Sequence, residues 1–131
     1  MAGELILITE DNEKNRKLMR ELLQVTGYRT LESETAEEGI RMARESGPAL
    51  ILMDLQIPGM DGIQALAALR ADPATSRIPV IAVTASAMTH SEAKIRAAGF
   101  DGYQTKPIGV KEFLRVVREV LDRPPGGGQT A

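Results

Sequence analysis

The chain has no cysteine, a single histidine and only two tyrosines and two phenylalanines. Without cysteine it cannot rely on disulfides, so its stability must come from a packed core. No apolar run approaches the roughly 20 residues of a membrane span. The N-terminus carries no signal-like pattern, so nothing marks the chain for export and the expected location is cytoplasmic. No sign of charge dominates either: 16 basic residues face 18 acidic ones, for a net charge of −2. A chain so balanced projects no positive field toward DNA or anionic lipid, which argues against nucleic acid and membrane surfaces as partners.

What the chain does have is a repeated pattern of strand-like runs ending on polar residues. LILITED ends on Glu10 and Asp11, LILMD on Asp54, VIAVT on Thr84, and DGYQTK on Lys106. Apolar runs of this length, bounded by turn-forming sequence, read as strands buried on both faces, as in parallel sheets covered by helices. Such sheets bind ligands beyond the carboxyl ends of their strands. Three carboxylates, a hydroxyl and an ammonium would therefore converge on one pocket.

The intervening segments carry helical periodicity. Leu5–Thr9 is followed by Leu18, Met19, Leu22 and Leu23 at helical spacing, with Gly27 as the stop. Tyr28–Glu32 alternates like a short strand, and Thr35 to Glu38 reads as a capping box before a helix facing inward with Ala36, Ile40 and Ala43. Gly47 and Pro48 end that helix. Leu50–Asp54 is the most apolar strand; the loop Leu55 to Met60 leads to a helix capped by Asp61, with Ile63, Leu66 and Leu69 inward and Pro73 at or beyond its end. Pro79–Thr84 is the fourth strand, Thr89 to Glu92 another capping box, Gly99 a helix stop, and Gly102–Thr105 the last short strand. Val110, Phe113, Leu114, Val117 and Leu121 form the stripe of a final helix. The PPGGG segment breaks any helix, so residues 123–131 read as a flexible tail or the start of a linker after a domain spanning 4–122.

A chain of 131 residues suits one domain burying roughly two-thirds of its unfolded surface. Strict alternation of strand and helix predicts an α/β fold, a doubly wound five-stranded parallel sheet of order 2-1-3-4-5, flavodoxin-like in architecture. In that order strands one and three are neighbours, and Glu10, Asp11 and Asp54 share a crevice. Carboxylates so close repel one another, and either bind a divalent cation or take up protons. All-oxygen ligands suit Mg²⁺, or Mn²⁺, and a hard cation that keeps some water also bridges phosphate oxygens.

Each residue has a plainer reading when taken alone. An acidic pair after a strand often stabilises a helix N-terminus, a use that Asn12 would share. Asp54 could be a solvated loop carboxylate, Thr84 a turn residue, Lys106 a surface cation and Tyr103 a packing residue. His90 lies inside a capping box and is assigned no role. It is the joint occurrence, in this order, that argues for a site.

The acidic pair Glu10-Asp11, the LILMDLQIPGMDG segment, the VTA of Val83 to Ala85 and the YQTKP of Tyr103 to Pro107 together resemble the receiver domains of two-component response regulators, from about Glu4 to Leu121. The resemblance extends to single-domain regulators of the chemotaxis (CheY-like) type and more closely the DivK type, which also read EDN after the first strand and carry a VTA-x-AM segment. It implies that Asp54 accepts a phosphoryl group from a histidine kinase or phosphotransfer protein, and that Asp11, Glu10, Asp54 and the backbone carbonyl of Gln56 hold Mg²⁺. It also implies that Lys106 and Thr84 contact the phosphoryl oxygens, with Thr84 and Tyr103 acting as a switch and Gln56 and Ser86 influencing phosphoryl lifetime. A carboxylate nucleophile would need no general base, and small Ala85 would leave room for the donor. Glu10 departs from the aspartate of the chemotaxis type but keeps its charge. A receiver of this kind modifies itself and is not a turnover enzyme. It passes the signal to a downstream protein partner in trans, or serves as the receiver segment of a hybrid kinase.

Rival readings fare worse. A flavodoxin-like cofactor binder needs a Gly-, Ser- and Thr-rich first loop, whereas Glu10-Asp-Asn-Glu13 would repel a phosphate. An aspartate-nucleophile phosphatase places a second Asp two residues on, where this chain has Gln56. A pseudo-receiver would lack some of the site positions, and here all are filled.

Overall fold

The computed structural model describes residues 3–57, 60–85 and 92–122. The expected tail 123–131, Ser86, and the Thr89 to Ser91 part of the second capping box, His90 included, lie outside the described residues. Among the described residues ten elements alternate: β1 (Leu5–Thr9), α1 (Glu13–Thr26), β2 (Arg29–Ser33), α2 (Ala36–Ser46), β3 (Leu50–Asp54), α3 (Gly62–Ala71), β4 (Val80–Thr84), α4 (Glu92–Ala98), β5 (Gly102–Thr105) and α5 (Val110–Leu121). The strands form one parallel sheet in the order β2-β1-β3-β4-β5. Among the described residues no helix is long and apolar enough to cross a membrane.

Period-two alternation sorts the buried strand residues onto two faces. Ile6, Ile8, Leu50, Leu52, Ile81 and Val83 pack with Met19 and Leu23 of α1 and Phe113, Val117 and Val120 of α5. Leu7, Ile51, Met53, Val80 and Ala82 pack on the other face with residues of α2, α3 and α4. Because both faces are covered, the central strands β3 and β4 are buried along their whole length.

Local chemistry sets the helix ends. Asn12 accepts a hydrogen bond from the Asn15 N–H at 3.0 Å to cap α1, and Gly27 closes that helix at φ 107°, a conformation glycine adopts without a Cβ penalty. Asp61 and Gln64 form the reciprocal capping box of α3. The expected box of α2 is only half made. Thr35 Oγ1 accepts from the Glu38 N–H at 3.1 Å, but Glu38 Oε1 reaches the Glu34 N–H at 3.3 Å.

Three expectations shift in detail. β2 begins one residue later than predicted, because the Tyr28 N–H bonds the Leu23 carbonyl at 3.0 Å and so belongs to the turn ending α1. In α3 the inward face is Gly62, Ala65, Leu66 and Leu69, while Ile63 is 41% exposed. In α5 it is Phe113, Val117 and Val120; Val110, in the first turn, is half exposed, and Leu114 and Leu121 are partly buried. A polar tie beneath β4 and β5 carries no signal in the residue pattern. Asp101 Oδ2 receives both the Arg70 guanidinium and the Val80 N–H at 2.9 Å, and Arg70 continues to the Ser76 and Ile78 carbonyls.

Candidate functional site

At the carboxyl edge of the sheet, β1 and β3 lie side by side, with Thr9 opposite Met53. The residues that follow these partners, Glu10 and Asp54, therefore face one crevice. Carboxylate oxygens of Glu10, Asp11 and Asp54 all lie within 4.8 Å of one another. Glu10 is wholly buried, Asp54 is 2% exposed and Asp11 is open to solvent.

Lys106 enters this cluster from the end of β5. Its Nζ lies 3.0 Å from Glu10 Oε1 and 3.2 Å from Asp54 Oδ2. The backbone holds the lysine at the sheet edge, since its N–H donates to the Thr84 carbonyl at 2.8 Å. The Lys106–Pro107 peptide is cis. Asp54 is further oriented by the Gln56 N–H, 3.0 Å from Oδ1, so its two oxygens have different partners.

Electrostatics follow from this burial. Removal from water, reinforced by the charge of Asp54, raises the pKa of Glu10 above the ordinary glutamate value, against the pull of Lys106 and the Asn12 N–H. Burial alone would lower the Lys106 pKa, but hydrogen bonding to Glu10 and the charges of Asp54 and Glu10 outweigh it, and the net shift is upward. Two like charges about 4 Å apart repel by roughly 4 kcal/mol at an effective dielectric of about 20. Three carboxylates against one ammonium leave two negative charges.

That remainder matches a divalent cation. So does one orphaned atom: Glu10 Oε1, although within ion-pair distance of Lys106, is buried and accepts no aligned hydrogen bond. A hard cation with all-oxygen coordination would satisfy it, and the donor set fits Mg²⁺ or Mn²⁺.

Glu10, Asp11, Asp54 and Lys106 thus come together as expected. Thr84 is buried at the end of β4, with its carbonyl tied to Lys106, and Gln56 is exposed beside Asp54. Tyr103 sits half-buried against the core on the α2–α4 side. It lines a groove of about 300 Å³ with residues of α4 and α5, including Glu92, Arg96, Arg115 and Val116. Lys94 and Lys111 are exposed on α4 and α5.

The sequence reading missed two groups that hold Glu10 by its backbone. The Ser33 carbonyl accepts its N–H at 3.0 Å, and Arg16 Nη1 donates to its carbonyl at 2.9 Å. The only signal for Arg16 was a faint one: a cation in the first turn of a helix opposes the helix dipole and needs a partner.

The model of the response regulator receiver domain matches residues 6–118. The chain belongs to this family. The receiver is 42% identical over 116 residues to the polar-differentiation response regulator DivK of Brucella ovis, covering 88% of this chain and 94% of that protein. DivK of Brucella anthropi is similar to the same extent. Among solved structures, the receiver domain of the sensor histidine kinase PA1611 from Pseudomonas aeruginosa, with a magnesium ion coordinated in its active site cleft, superposes with a TM-score of 0.85 at 31% identity, covering 93% of this chain and 100% of that one. The chemotaxis response regulator CheY4 of Vibrio cholerae shares the fold, with a TM-score of 0.83 at 21% identity over 91% of this chain and 99% of that one. As a receiver of two-component signalling the protein is a signalling module and not a turnover enzyme.

Proposed function

We propose that Asp54 is the phosphoacceptor of this receiver and that its modification depends on Mg²⁺ or Mn²⁺. The observation that carries the reading is the cluster of buried Glu10 and Asp54 with exposed Asp11, answered by one lysine. Glu10, Asp11, Asp54 and the backbone carbonyl of Gln56 would hold the cation. When bound, it would supply positive charge to the phosphoryl oxygens.

The chain's own groups supply the rest. The Asp54 carboxylate attacks the phosphorus of a phosphohistidine; an oxygen–phosphorus bond forms, the phosphorus–nitrogen bond breaks, and its electron pair leaves with the imidazole. The Gln56 N–H and the Lys106 ammonium fix the carboxylate before attack, which lowers the cost of aligning it in the transition state. Lys106 then faces the transferred group, and the Thr84 hydroxyl hydrogen-bonds it. Thr84 and Tyr103 form the switch, and Gln56 and Ser86 tune phosphoryl lifetime. The donor is a histidine kinase or phosphotransfer protein in the cytoplasm, and a protein partner reads the output in trans. The receiver occupies 4–122, with 123–131 as a tail. Relatives include a response regulator covered over 94% of its length and a receiver domain of a sensor histidine kinase, and the reading of Asp54 holds for this chain in either setting.

Intact-mass analysis after incubation with acetyl phosphate tests the reading. The expected result is one phosphoryl group on the wild type when Mg²⁺ is present, none with chelator, and none on a folded Asp54→Asn variant. Undiminished phosphate on Asp54→Asn would refute the assignment.

A further inference from the structure

We propose that Arg16 is a positioning residue for Glu10, and through it for the cation site; the proposal rests on the metal reading above. Glu10 lies one residue beyond the last paired position of β1, where Thr9 faces Ser33 and Met53. Its N–H still finds the Ser33 carbonyl, but its own carbonyl has left the strand ladder while the residue remains wholly buried. A buried carbonyl needs a donor. Arg16 provides it, with Nη1 2.9 Å from the Glu10 oxygen.

The guanidinium is itself held in place. Its Nε donates to Glu32 Oε1 at 3.0 Å, its Nη2 lies 3.8 Å from Glu34, and Arg20 Nη1 lies 2.9 Å from the other Glu32 oxygen. Glu32 belongs to β2, directly beside Ile8 of β1. Arg16 therefore ties α1 to β2 while one arm of its fork is aimed at the residue carrying the buried carboxylate. Lysine, a single point of charge, cannot hold both partners in this geometry. Groups behind a metal ligand fix its orientation, and losing one commonly weakens binding by about 10- to 100-fold.

A role confined to joining α1 with β2 would predict a different result, because Arg20 serves that junction without touching Glu10. The experiment is Mn²⁺ titration, by calorimetry, of the wild type, Arg16→Met, Arg16→Lys, Arg20→Met and Glu10→Gln, together with the Arg16→Met/Glu10→Gln double variant. In parallel, NMR follows the Glu10 carbonyl carbon and the Asp11 amide in metal-free protein. Arg16→Met is expected to weaken Mn²⁺ roughly tenfold, Arg16→Lys less, and Arg20→Met not at all. In the Glu10→Gln background the effect of Arg16→Met should largely vanish, since the two act through one group. The Glu10 carbonyl resonance should move in Arg16→Met and stay in Arg20→Met. Full Mn²⁺ affinity in folded Arg16→Met, an equal loss in Arg20→Met, or an undiminished effect on Glu10→Gln would overturn the proposal. Wild-type protein that binds no Mn²⁺ would instead contradict the metal reading, and the metal-free carbonyl shift would still report whether Arg16 holds Glu10.

Discussion

Lys106 brings one positive charge to three carboxylates, and the most buried of these, Glu10, carries the largest consequence. Burial, then the charge of Asp54, raises its pKa, so the folded protein holds this proton more tightly than the unfolded chain. Stability from this group is therefore greatest below the ordinary value near 4.5. It falls as pH rises toward the raised folded value, above which the penalty of the buried charge is fully present. Glu10→Gln is accordingly expected to be more stable than wild type in metal-free urea unfolding at neutral pH, with the gain disappearing in acid. A wild type more stable than the variant across that range would contradict the sign. Asp11→Asn should weaken Mn²⁺ more than Glu10→Gln, because Lys106 already answers Glu10 and Asp54 while Asp11 is the exposed member of the cluster; titration in the opposite order would overturn that ranking. The carboxylates were legible in the sequence because they close the apolar strands β1 and β3, and Lys106 because it ends the short strand-like segment from Gly102. Arg16 and Ser33 were not, since they act on backbone atoms of Glu10, which leave no mark in the pattern of side chains.

At the scale of elements, the small residues matter as much as the apolar ones. Gly39 in α2 is buried where a Cβ would lie 2.6 Å from Thr9 Oγ1 and 2.9 Å from Ser33 Oγ, two hydroxyls bonded to each other at 3.0 Å. Gly39→Ala would gain up to about 1 kcal/mol of helix propensity. Overpacking at such a site costs roughly 1–3 kcal/mol. The expected balance is a lowered urea midpoint, and a midpoint at or above wild type would show that the helix can shift to make room. The same logic explains the outward turn of Ile63. Hydropathy favoured Ile63 in α3, but Gly62 lies against Leu55, just past β3, where a Cβ would clash, and with Ala65 and Leu66 buried beside it Ile63 turns outward. The limits of β1, β3 and β4 were legible to within a residue because both-face burial writes a continuous apolar run.

Across the whole molecule, the site lies at one edge of the sheet, while Tyr103 faces a groove against α4 and α5. Within α4 only Ile95 is buried, so little packing anchors that helix. A beryllofluoride adduct at Asp54 is expected to shift backbone resonances from Asp54 through Thr84 to α4 and Tyr103, and to raise affinity for a protein partner by about 1–3 kcal/mol. Thr84→Ala should still accept phosphate yet lose most of that gain. Resonance changes confined to the loops around Asp54 would sink the switching account. The topology was legible from the alternation of strands and helices. The groove was not, because it is formed by residues from three separate elements and depends on how they pack.

The function proposed for this receiver depends on Asp54, and no other carboxylate, accepting the phosphoryl group with the help of a divalent cation. Borohydride reduces an acyl phosphate to the alcohol, converting a phosphorylated aspartate to homoserine, which peptide mass mapping locates. After treatment with acetyl phosphate, homoserine is expected at position 54 alone, and only when Mg²⁺ was present. Homoserine at another acidic position, or equal conversion with chelator, would contradict it.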